Sequence, residues 1–128
     1  MTVYRVVGGM GFFDELVERF YKRVATDILL RPLYPDDLGE SRRHLALFLA
    51  QYWGGPNTYS DQRGHPRLRM RHAPFVISDA ERDAWLRHML AALDSLVDEH
   101  DVHPAVEARM QDYFASAADA MINTHAPS

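Results

Sequence analysis

The sequence predicts an all-α protein with four main helices and two short ones. Three observations carry that expectation. Apolar residues recur at helical spacing through four long segments. Clusters of Gly and Pro separate those segments. No stretch reads convincingly as a strand.

Gly8-Gly9 and Gly11 punctuate the start and allow a tight turn or a close backbone approach. Phe12, Phe13, Leu16, Val17, Phe20, Tyr21 and Val24 then recur at helical spacing among charged residues, which makes an amphipathic helix. Tyr21 sits on the apolar face. Its hydroxyl either finds a partner inside or reaches the rim, as core tyrosines commonly do. Asp27 can cap a short turn from Ile28 to Leu33, limited by Pro32 and Pro35. Tyr34 stands in the corner Leu33-Tyr34-Pro35, and Asp36 to Gly39 reads as a loop.

The second long helix is expected from about Glu40 to Trp53, with Ser41 as its cap. Leu45, Phe48, Leu49 and Tyr52 form its apolar face, His44 lies at the edge, and Gly54-Gly55-Pro56 stops it. Asn57 to Gly64 is polar and reads as a loop, with Tyr59 as its large ring. The segment Arg63 to Phe75 follows. In it, arginines alternate with apolar residues, Pro66 can open a helical turn, and Ala73-Pro74 closes it at His72. Leu68 and His72 share one face.

Ser78-Asp79-Ala80-Glu81 is a capping box that opens a long helix to about Val97. Trp85, Met89, Ala92 and Leu96 run along it, widened by Leu86, Leu90, Leu93 and Val97. Trp85 reads equally well as plain core packing. The last helix starts at Asp101 to Pro104. It buries Val106, Met110, Tyr113, Phe114, Ala117 and Met121 and fades near Asn123, leaving Thr124 to Ser128 as a loose tail.

Composition narrows the function. A chain of 128 residues suits one domain, 1–128, with a real core. The absence of cysteine excludes disulfides, thiolate-bound iron or zinc and Cys nucleophiles. A formal charge of −4 counts against a nucleic-acid partner, although Arg63, Arg67, Arg69 and Arg71 with Tyr59 and Phe75 could form a stacking patch. No apolar run approaches the roughly 20 residues of a membrane span, and the first residues lack a signal-peptide pattern, so a cytoplasmic protein is expected.

Side-chain constellations narrow it further. A di-iron bundle needs Glu-x-x-His, and Glu40 and His44 are spaced by four. His65 with His72, or His100 with His103, could begin a zinc site, but neither pair has a third ligand at useful spacing. Phosphate loops, Gly-x-Ser-x-Gly and paired carboxylates on an apolar face are missing. His72 beside Leu68, Met70 and Arg71 suits an apolar planar ligand with anionic edges, such as haem. The bland alternative is an exposed His on a basic loop.

These residues resemble the truncated haemoglobins, specifically the group II type common in actinobacteria. The most specific match runs from Gln51-Tyr52-Trp53-Gly54-Gly55-Pro56 through Thr58-Tyr59-Ser60 and Arg63 to Phe75, ending at Glu81-Arg82-Asp83-Ala84-Trp85-Leu86. Gly8-Gly9, Arg19-Phe20-Tyr21 and Leu33-Tyr34-Pro35 match more weakly, and the resemblance covers essentially the whole chain. It implies two helix pairs sandwiching one haem b. It also implies His72 as the proximal iron ligand, with Tyr21, Tyr34 and Trp85 on the distal side. Leu45 and Phe48 would line the pocket, with Leu68, Phe75 and Met89 as further cofactor contacts. Ser41 matches the position where many globins place a distal histidine. Arg71 matches a propionate-binding arginine. His44 stands where relatives often carry Arg, and a neutral His is the weaker propionate partner.

The resemblance implies reversible binding of oxygen, carbon monoxide and nitric oxide, as a carrier or sensor. The alternative of a different class is a redox enzyme: a nitric oxide dioxygenase, or a peroxidase using hydrogen peroxide. Such an enzyme would need an external reductase, because the chain has no flavin or nicotinamide domain. A homo-oligomer is compatible with the sequence.

Overall fold

The chain begins with one turn of helix, α1 (Val3–Val6), capped by the Thr2 hydroxyl, which accepts from the Arg5 amide at 3.2 Å. The structure is a computed structural model and describes residues 2–64 and 76–122. The expectations for His65, Leu68, Met70, Arg71, His72 and Phe75, and for the tail beyond Ile122, lie outside the described residues.

Helix α2 (Met10–Val24) buries Phe12, Phe13, Leu16, Val17, Phe20, Tyr21 and Val24, the face that the periodicity predicts. Its chain then turns. The Asp27 carboxylate accepts from the Leu29 and Leu30 amides at 2.8 and 3.1 Å, which caps a turn that continues into a 3₁₀ segment, Arg31–Leu33. Pro32 and Pro35 hold that segment to one turn.

Helix α3 (Gly39–Tyr52) is capped differently from expectation. Ser41 does not cap it; the Asp37 side chain accepts from the Gly39 amide at 2.8 Å instead, four residues nearer the prolines. Tyr52, expected in the apolar face, is 51% exposed and stacks on Tyr113 with centroids 4.0 Å apart. The helix ends at Gly54-Gly55, where α1 crosses it. A Cβ on Gly54, whose φ is +103°, would lie 2.6 Å from Thr2, and one on Gly55 would lie 2.6 Å from the Tyr4 ring. Only glycine admits that close an approach.

Residues 58–63 correct the loop reading: Thr58–Arg63 form a short helix, α4. The reason is tertiary. Gln51 of α3 donates to the Ser60 hydroxyl at 2.7 Å and accepts from the Ser60 amide at 3.0 Å. This reciprocal bond holds a segment with too little apolar character to declare itself.

Helix α5 (Asp79–His100) opens on the expected capping box, with Glu81 accepting from the Ser78 amide at 3.1 Å and from its hydroxyl. It runs past Val97 to His100 and stops where Asp101 turns left-handed at φ 52°. Helix α6 (Pro104–Met121) begins at Pro104, with the His103 imidazole accepting from the Ala105 amide at 3.0 Å.

The described residues therefore form helices and contain no strand. Helix α2 packs against both α3 and α5, α6 packs against α5, and α4 packs against α3. Two helix pairs result, α2 with α3 and α5 with α6. Their shared core holds Phe13, Phe20, Met89, Leu93, Met110 and Phe114, all fully buried. No described helix is long and apolar enough to cross a membrane.

Candidate functional site

Side chains from α2, the proline corner, α3, α4, α5 and α6 surround one cavity of about 340 Å³, within the range of small-molecule and cofactor pockets. Leu30, Leu33, Leu45, Phe48, Leu49, Phe114 and Met121 give it apolar walls. Ser41, relieved of capping, lines it too.

The polar centre is built from three distant parts of the sequence. Tyr21 comes from the buried face of α2, Tyr34 from the corner between the prolines, and Trp85 from the second turn of α5. Packing fixes all three rings. Tyr21 meets Tyr34 edge-on with centroids 5.4 Å apart, and Trp85 lies between Phe20 at 5.5 Å and Phe114 at 6.2 Å. Tyr21 and Trp85 both act on the Tyr34 hydroxyl and favour its ionised form, but burial outweighs them and pushes the Tyr34 phenol up to about 12. Tyr21 is pushed up further, because burial is reinforced by the neighbouring Tyr34. Both phenols therefore stay protonated near neutral pH, and Tyr34, which lines the cavity, keeps a proton it can donate there.

Cationic groups stand at the same cavity. Arg82 is already neutralised by Asp79, Asp83 and Asp119. Arg63 Nη1 lies 3.1 and 3.2 Å from the two ring nitrogens of His44. Near-equal distances place it over the imidazole face, since an in-plane approach would collide with the carbon between them. That nitrogen thus lies against the flat ring, and the guanidinium carbon sits 5.9 Å from the centre of the Tyr59 ring.

The expected residues Tyr21, Tyr34, Trp85, His44, Leu45 and Phe48 all line this one cavity. Met89 does not. One helical turn beyond Trp85, it is wholly enclosed in the core and is not among the lining residues. Its apolar periodicity is that of packing, which spacing alone does not distinguish from a cofactor wall. Arg63, like Tyr59, is a lining residue that the sequence offers for a different purpose, a stacking patch. Its position four residues after Tyr59 on α4 becomes visible only once α4 is known to be helical.

Such a cavity fits a flat, largely apolar ligand with an anionic edge. The walls are largely apolar, Arg63 and His44 can face negative charge, and the Tyr34 proton is available to a second, small guest carrying partial negative charge.

Comparison with known proteins gives a consistent picture. The family described as bacterial-like globin matches residues 2–123. The chain is 42% identical over 103 residues to Group 2 truncated hemoglobin YjbI of Bacillus subtilis, a match covering 80% of this chain and 78% of that protein. The crystal structure of the hemoglobin from Chloroflexus aurantiacus superposes with a TM-score of 0.91 at 52% identity, over 97% of this chain and 99% of that one. The thermostable hemoglobin of the actinobacterium Thermobifida fusca gives 0.91 at 51% identity, over 97% and 98%.

Proposed function

This chain belongs to the bacterial-like globins, as a truncated haemoglobin of group II, and on that premise we propose that its cavity holds haem b and that oxygen, carbon monoxide and nitric oxide bind there. The observation that carries the reading is that Tyr21, Tyr34 and Trp85, from three distant parts of the chain, line one largely apolar cavity, with the Tyr21 and Tyr34 rings edge-on 5.4 Å apart.

When bound, haem supplies an iron at which diatomic gases bind reversibly. The chain's own groups do the rest. Leu45, Phe48 and Leu49 of α3 and Phe114 of α6 would pack against the macrocycle. Arg63, against His44, would offer its charge to a ring carboxylate, a stronger partner than an imidazole alone. Tyr34 would donate its proton to the negative end of a small guest, with Tyr21 and Trp85 beside it. His72 would be the proximal ligand and Arg71 the other propionate partner, with Leu68 and Phe75 as apolar contacts. These four assignments rest on the family resemblance.

Absorption spectroscopy tests the proposal. Wild-type protein reconstituted with haem should give a strong Soret band and a five-coordinate ferrous spectrum, and His72→Ala should abolish the latter. An unchanged spectrum in His72→Ala would remove His72 from its role. No Soret band in the wild type would remove haem from the cavity.

A further inference from the structure

A second set of polar contacts, made by His88 three residues beyond Trp85 and outside the cavity lining, links the same helix to the same corner. Asp27 uses both carboxylate oxygens. One accepts from the Leu29 and Leu30 amides. The other lies 2.6 Å from His88 Nε2. His88 is 8% exposed, and its Nδ1 accepts from Arg23 Nε at 3.0 Å. The tautomer is thereby fixed: a nitrogen receiving a guanidinium N–H has no proton of its own, so Nε2 carries the proton and donates it to Asp27. The His88 bond holds the Asp27 carboxyl below its ordinary range, as expected for a carboxylate with three protein donors. Arg87 stands 3.8 Å away but is largely exposed and adds little.

What this relay touches leads to the cavity. His88 lies three residues after Trp85 on α5. Leu30, whose amide Asp27 caps, lines the cavity wall. The Asp27 carbonyl accepts from the Arg31 amide at 2.9 Å. The Arg31 guanidinium in turn donates to the carbonyls of Tyr34, Pro35 and Asp36 at 3.2, 2.9 and 2.8 Å, clasping the corner backbone. Helix α5 therefore meets the segment 27–36 at two places. His88 bonds it at Asp27, outside the cavity, and Trp85 shares the cavity wall with Tyr34.

We propose that the Arg23–His88–Asp27 relay is a positioning device for the ligand site: by fixing the turn on α5 it sets where the Tyr34 hydroxyl stands relative to Trp85, and so how long a small ligand is retained. His88 and Asp27 act through Tyr34 and touch no ligand themselves. The ligand-retention part rests on the haem reading; the positioning part does not.

The fixed tautomer provides the test. In Asp27→Asn the new amide can still accept from the Leu29 and Leu30 amides, but its NH₂ faces the His88 N–H, donor against donor. Arg23 prevents the imidazole from switching tautomer. Adding Arg23→Leu frees Nδ1 to take the proton, so that Nε2 can accept from the new amide. In cofactor-free protein, the Trp85 indole N–H should exchange with solvent about tenfold faster in Asp27→Asn and return to within about threefold of wild type in Arg23→Leu/Asp27→Asn. In haem-loaded protein, oxygen release should follow the same order, and the carbon monoxide stretching band should split or shift in Asp27→Asn and recover in the double variant. A single variant that leaves the indole exchange unchanged overturns the proposal, as does a double variant worse than the single. Absence of a Soret band in wild type would instead sink the haem reading and leave the indole measurement standing. Should Asp27→Asn not fold, His88→Leu removes the same link while keeping the Asp27 cap. It should reproduce the faster indole exchange, and unchanged exchange again overturns the relay.

Discussion

At the Tyr34 hydroxyl two polar neighbours, Tyr21 and Trp85, stand beside a protonated phenol that lines the cavity, and that proton is what a ligand can meet. The sequence could offer all three residues but not their meeting. Spacing places Tyr21 on an apolar face and Tyr34 between two prolines, whereas their convergence emerges only when α2, the corner and α5 are packed. A hydrogen bond to a partly charged guest is worth about 1.5–3 kcal/mol, and each 1.4 kcal/mol is roughly tenfold in dissociation, mostly in the off-rate. Tyr34→Phe should therefore speed oxygen release from the haem-loaded protein by about tenfold or more, with a smaller effect on carbon monoxide. Trp85→Phe should also speed it, by loosening Tyr34. The combined variant should release oxygen no faster than about threefold beyond the quicker single variant, because residues in one network are not additive. Stopped-flow replacement of oxygen by carbon monoxide measures all three. Multiplicative effects would mean that Trp85 acts on the ligand independently of Tyr34.

At the scale of elements, the helices with strong apolar periodicity were legible and those held by side-chain contacts were not. Helix α2 declares its whole buried face, and α5 declares its start through Ser78 and Glu81. Helix α4 is silent, since its stability comes from Gln51 reaching across from α3 to Ser60. The start of α3 agrees with the sequence to within one residue, and what differs is the capping contact: Asp37, in the looser approach to the helix, serves the first turn in place of the serine that spacing favours. Gly54-Gly55 was legible as a stop, but its tighter purpose was not: it lets α1 cross α3 with Tyr4 donating its amide to the Trp53 carbonyl at 2.9 Å. A methyl on Gly55 would meet the Tyr4 ring at 2.6 Å and the Ala50 carbonyl at 2.8 Å. One contact is a side chain that can shift, and the other is helix backbone that cannot. Gly55→Ala should accordingly destabilise the protein by about 1–3 kcal/mol through overpacking, read as a lower urea midpoint at unchanged slope. A midpoint equal to wild type would mean that α1 does not seat on α3 as described.

For the whole molecule, burying several phenols around one cavity links stability to pH. Tyr34 and Tyr113 line the cavity with their phenols pushed up to about 12, chiefly by burial, and Tyr21 is pushed higher still. In the unfolded chain each titrates near 10. Between about pH 10 and 12 the folded protein therefore holds more protons than the unfolded one, and stability must fall as pH rises through that window. Below pH 10 both states keep the phenols neutral and their contribution is fully present. Each such phenol can steepen the decline by up to about 1.4 kcal/mol per pH unit. Cofactor-free protein unfolded in urea at pH 9, 10.5 and 11.5 should lose stability progressively, and Tyr34→Phe should lose it less steeply, whatever its stability at pH 9. Conservation of the wild-type slope in Tyr34→Phe would show that the Tyr34 phenol ionises as readily in the folded protein as in the unfolded chain. In that case the Tyr34 hydroxyl would be hydrated, and the case for it as the proton donor in a largely apolar cavity would fall with it.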